Sequence, residues 1–201
     1  MKKSPENTRL LLTFSAVSAI FFIVGLFTLL SIPSNSFIYI GLERAVIGIS
    51  KLNANASTVE KIGTFISSYF DEAKLLLFVF LSCFTIHRFK FFIGLCAFKG
   101  IASGMGCGIF LRTLPHFELS GWTSFFSSII FVSTSVCSLL LVIYFCINAF
   151  SFSKRIIYPI RISPFFKRKD SRLFILDLFA CEGILIIIML LKIGNLFFVI
   201  S

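Results

Sequence analysis

Residues 91–111 read FFIGLCAFKGIASGMGCGIFL, an apolar run of membrane-spanning length with Lys99 near its middle. Gly100, Gly104 and Gly108 follow at i, i+4 and i+8. On a helix this spacing lines one face with hydrogens in place of side chains, so that a second helix can approach to backbone contact. A charge at the centre of a membrane helix costs about 2.5–3.5 kcal/mol on insertion scales, so an intramembrane lysine is expected to have a partner or a task. The stretch points to a helical assembly embedded in a membrane.

The composition agrees. Of 201 residues, 57% are hydrophobic and 28 are Phe, and the mean hydropathy is +0.98. A water-soluble domain of this size would expose too much of that apolar surface. Backbone polar groups in lipid must be satisfied internally, by helices or by a closed barrel. The apolar runs here are long and unbroken rather than alternating, which selects helices. The fold class is therefore all-α, a polytopic membrane protein forming a single membrane domain over 1–201. It has about five transmembrane helices, at 10–32, 75–86, 91–111, 123–150 and 173–200.

The net charge of +10 is unevenly placed. Three basic residues lie in 1–9, two in 87–90 and seven in 154–172, twelve of the nineteen in the chain. Basic clusters of this kind mark cytoplasmic segments. They put the N-terminus and the basic loop 154–172 inside and the C-terminus outside, with membrane lipids as the expected neighbours. The charges do not form the soluble basic face that nucleic-acid binding requires, and no nucleic-acid partner is expected. The apolar run 10–32 is too long for a signal-peptide core and reads as a retained first span.

Segment 37–74 carries balanced charge and two apolar patterns. Ser57 and Glu60 have capping-box spacing. Val59, Ile62, Phe65, Ile66, Tyr69 and Phe70 then recur at helical intervals. The expectation is a pair of exterior amphipathic helices at the membrane surface, with Val59, Ile62, Phe65, Ile66 and Tyr69 as a partner-docking face.

Three more ionisable residues lie in the last span: Asp177, Glu182 and Lys192. Counted from the cytoplasmic end, Lys99 is the ninth residue of its span and Glu182 the tenth of its own. At 1.5 Å per residue the two depths agree within a turn. Lys99 is therefore expected to pair with Glu182, or with Asp177 nearer the cytoplasm, and Lys192 to reach the outer interface. The six cysteines all fall inside expected spans and read as small apolar filler rather than a disulfide framework. No CxxC, paired-histidine spacing or nucleophile–base constellation occurs, so neither a metal, a cofactor nor an enzymatic activity is expected.

The order of these features resembles the stage II sporulation protein M family of bacterial integral membrane proteins. The resemblance rests on a short second span turning tightly into a third that carries Phe98-Lys99-Gly100 followed by Gly104 and Gly108, and on an acid-bearing last span. It implies a non-enzymatic scaffold in the bacterial cytoplasmic membrane that holds cell-wall remodelling proteins in a complex, as the sporulation protein anchors peptidoglycan-degrading partners during engulfment. The alternative is a small transporter, or a transporter subunit, with a midplane site around Lys99 and Glu182.

Overall fold

A computed structural model describes residues 5–33, 36, 40, 58–85, 87–114, 121–157 and 168–200. All five of its main elements are helices: α1 (Pro5–Ser31), α2 (Thr58–Ser82), α3 (Arg88–Thr113), α4 (Gly121–Ile157) and α5 (Arg168–Ile200). Proline sets the limits of α1. Pro5 is the first residue of α1, where its missing N–H costs nothing. Pro33 lies just past the end of α1, where it cannot continue the helix.

Four of the helices are long and apolar enough to cross a membrane, over Asn7–Ser31, Arg88–Thr113, Gly121–Lys154 and Arg172–Asn195. At 26 residues α3 extends about 39 Å, more than the hydrocarbon thickness of about 30 Å. Large apolar side chains are exposed along the outer faces, among them Phe27 on α1, Phe98 on α3 and Leu176 on α5. Such a surface suits lipid rather than water.

The fifth helix, α2, corrects the expected layout. The sequence pattern separates an interfacial helix before residue 74 from a short span at 75–86. The structure has one continuous helix of 25 residues from Thr58 to Ser82. The charges Asp71, Glu72 and Lys74 obscure this continuity because they interrupt the apolar run. The other expected interfacial segment, 37–50, lies almost wholly outside the described residues.

The fourth helix, α4, packs against all four others, and α1 packs chiefly against α3. The α1–α3 contacts rise together along both chains, from Ser18 beside Gly100 to Leu29 beside Gly108, so these two helices run parallel. Two parallel neighbours joined through α2 require α2 to traverse the bundle in the opposite direction. Its pairing with α3 runs accordingly, through a tight turn at Cys83–Thr85 closed by the Thr85 N–H donating to Ser82 O at 3.1 Å.

Aromatic packing fills the end of the bundle near this turn. Phe174 of α5 stacks on Phe80 of α2 and on Phe145 and Phe152 of α4, at centroid separations of 5.6, 5.5 and 4.2 Å. At the opposite end, the Arg112 guanidinium donates to the terminal carbonyls of α1, Leu29 O at 3.2 Å and Ile32 O at 2.7 Å. A cation there opposes the negative end of the helix dipole.

Candidate functional site

The candidate site is a band of polar groups enclosed by α2, α3, α4 and α5. Lys99 of α3 is buried. Its Nζ donates to both carboxylate oxygens of Glu72 on α2. Ser138 of α4, also buried, donates its Oγ to Glu72 Oε2 at 3.4 Å. Glu72 lies ten residues from the end of α2 and Lys99 eleven from the start of α3. Across an antiparallel hairpin these positions stand at one level, about 15 Å in from the turn.

This pairing overturns the expected one. Lys99 binds neither Glu182 nor Asp177. Glu182 Oε2 instead accepts a hydrogen bond from the Tyr69 hydroxyl of α2 at 2.8 Å, and Asp177 Oδ2 accepts a long one from Asn148 Nδ2 of α4 at 3.5 Å. The depth argument fails because depth is only one coordinate. The face of α3 that bears Lys99 looks towards α2, and assigning 37–74 to the exterior had removed Glu72 from consideration.

Glu72 lies on the inward stripe of α2. The fully buried residues Leu76 and Val79 of α2, and Cys83 just past its end, fall at i, i+3 and i+7. Extending that stripe one turn towards the N-terminus reaches Glu72, and another reaches Tyr69. The neighbouring charges lie off the stripe, where Asp71 and Lys74 pair with each other in the open at 2.9 Å. Only Glu72 of the three is carried into the bundle.

Lys192 of α5 also departs from expectation. Rather than reaching outward, its Nζ lies 4.9 Å from the centroid of the buried Phe131 ring, a cation–π contact. It stands within electrostatic reach of Lys99 and Glu72. Nearby, buried Asn195 donates to Ser127 O at 2.9 Å and ties α5 to α4. The band therefore combines two lysines, two glutamates, a tyrosine and several hydroxyls. Among the described residues no group of three or more His, Cys, Asp or Glu is arranged to hold a metal ion.

The glycine ladder has a definite partner. A Cβ at Gly100 would stand 2.6 Å from Ser18 O, one at Gly104 would run into Phe22 O, and one at Gly108 would lie 3.0 Å from Leu29 Cδ2. All three meet α1. Gly25 of α1 answers with its own close approach to Ile101 O. The Ser18 hydroxyl donates to Cys96 O at 3.4 Å across the same seam. Gly106, in the same crowded stretch, faces open space.

The expected docking face divides. Ile66 is exposed, as is Phe70 beside it. Tyr69 is instead half-buried and turned to Glu182, because it lies on the inward stripe. The side chains of Val59, Ile62 and Phe65 lie outside the described part of the structure. Comparison with protein-family models, with curated proteins and with solved structures finds nothing that matches this chain.

Proposed function

We propose that this chain is a non-enzymatic membrane scaffold of the bacterial cytoplasmic membrane that holds cell-wall remodelling proteins in a complex. The observation that supports this reading is that the ionisable groups inside the bundle are each engaged by a neighbouring helix. Glu72 is held by Lys99 and Ser138, and Glu182 by Tyr69. Contacts of this kind between helices fix helix positions, and a buried ion pair serves register at least as readily as it serves transport. Ile66 and Phe70 of α2 remain exposed and offer apolar area to a partner helix or segment.

The test is affinity purification of the tagged full chain from native membranes in mild detergent. Cell-wall hydrolases or their membrane anchors are expected to co-purify. Ile66→Glu with Phe70→Glu should reduce their recovery several-fold while the chain itself still elutes as a single species. Recovery of an ATPase subunit instead would replace the scaffold with the transporter-subunit reading, for which the Glu72–Lys99 level would be the midplane site.

A further inference from the structure

On its outward face, the first two turns of α3 carry an open groove of about 350 Å³ lined by His87, Lys90, Phe91, Gly94 and Leu95. These positions follow i, i+3, i+4, i+7 and i+8, so a single helical face provides them. We propose that this groove binds one anionic phospholipid, with the headgroup phosphate at His87 and Lys90 and an acyl chain laid over Gly94.

The groove wall is almost wholly apolar, and His87 and Lys90 flank its end at the start of α3. His87 and Lys90 stand exposed at the start of α3, and neither has an ion-pair or side-chain hydrogen-bond partner among the described residues. The first turn of α3 contains no acid to neutralise them. Beyond them the groove is apolar. Gly94 has no atom within 4 Å of the place a Cβ would take, so no other described element fills the notch its missing side chain leaves. Phe91 stands exposed on one side of the notch, and Phe98 continues the exposed apolar track one turn further.

The adjacent cations are committed elsewhere. Arg88 turns inward, donating to Ser153 Oγ at 2.9 Å and lying 5.7 Å from the Phe150 ring centroid. Lys154 Nζ stands 5.1 Å from the same ring. Among the described residues at this level, Lys90 is thus the cation that faces outward, with the His87 imidazole beside it as a hydrogen-bonding group. A basic residue close to an anionic membrane surface contributes about 1 kcal/mol. A water-soluble phosphate would use Lys90 and His87 but leave the apolar length of the groove vacant, which favours the lipid.

The test uses the full chain in detergent, titrated with palmitoyl-oleoyl phosphatidylglycerol or with the phosphatidylcholine of the same chains, and read by native mass spectrometry. The first phosphatidylglycerol should bind about fivefold more tightly than phosphatidylcholine. His87→Gln with Lys90→Gln should abolish that preference. Gly94→Leu should weaken both lipids without altering charge. Millimolar glycerol 1-phosphate should displace neither. Equal binding of the two lipids to the unaltered chain would overturn the proposal. So would a preference that survives the double substitution, which would place the lipid on the basic stretch 154–172. Displacement by glycerol 1-phosphate would identify a soluble-anion site instead. The polar substitutions lie on exposed side chains, so an unchanged unfolding midpoint is expected and the double variant is decisive even if Gly94→Leu fails to fold.

Discussion

Lys99 and Glu72 hold each other inside the bundle, where Lys99 Nζ donates to both oxygens of the Glu72 carboxylate. Removing one partner of a buried ion pair leaves an uncompensated charge and costs about 3–5 kcal/mol, whereas replacing both by apolar residues of similar volume is often close to neutral. Lys99→Met is therefore expected to lower stability by about 3–5 kcal/mol, and Lys99→Met with Glu72→Met to recover most of that loss. Reversible unfolding in mixed micelles measures both. Charge reversal identifies the partner: Lys99→Glu with Glu72→Lys should fold better than either single change, and Lys99→Glu with Glu182→Lys should not. The existence of a buried lysine was legible from its place in an apolar run. Its partner was not, because helix depth leaves rotation about the axis undetermined. The burial stripe Tyr69, Glu72, Leu76, Val79 and Cys83 resolves that rotation, and it becomes readable only once α2 is taken as one continuous helix.

At the scale of the elements, the α1–α3 seam is set by the absence of side chains. Gly104 lies against the Phe22 backbone and Gly25 against that of Ile101, so each helix offers the other a glycine where its main chain is nearest. Backbone cannot yield as a flexible side chain can. Overpacking of a well-filled core costs typically about 1–3 kcal/mol, and a leucine driven into main chain belongs at or above the upper end. Gly104→Leu is expected to separate α1 from α3 and lower the unfolding midpoint sharply. Gly106→Leu, two residues away and facing open space, should leave the midpoint nearly unchanged. Equal effects of the two would mean that helix propensity, not close approach, governs this stretch. The ladder itself was plain in the sequence. That it meets α1 depends on Ser18 and Gly25 sharing one face of a helix whose other residues are mostly large, a weaker pattern that gains meaning beside the ladder.

For the whole molecule, the parallel packing of α1 and α3 decides how often the chain crosses the membrane. The four plainly apolar helices, alternating without α2, would set α1 and α3 antiparallel. Their contacts instead advance together, from Ser18 at Gly100 to Leu29 at Gly108, and end with Arg112 on the last carbonyls of α1. A charged helix must therefore cross between them, and the bundle makes this tolerable by taking Glu72 inward to Lys99 while Asp71 and Lys74 neutralise each other outside. The Cys83–Thr85 turn then lies at the same end as the start of α1 and the end of α4, to which Arg88 and Ser153 fasten it. The distribution of basic residues predicts that this end faces the cytoplasm. Single cysteines at Asn7, Thr85 and Gly121, all exposed positions, can be probed in intact cells with a membrane-impermeant maleimide, using the parent chain as the blank. Asn7→Cys and Thr85→Cys should react only after permeabilisation, and Gly121→Cys should react directly. With four crossings the second and third results exchange: Thr85→Cys would be labelled from outside and Gly121→Cys protected. The exchange would also require α1 and α3 to part, so the labelling pattern tests the glycine seam and the Glu72–Lys99 pair together with the number of spans.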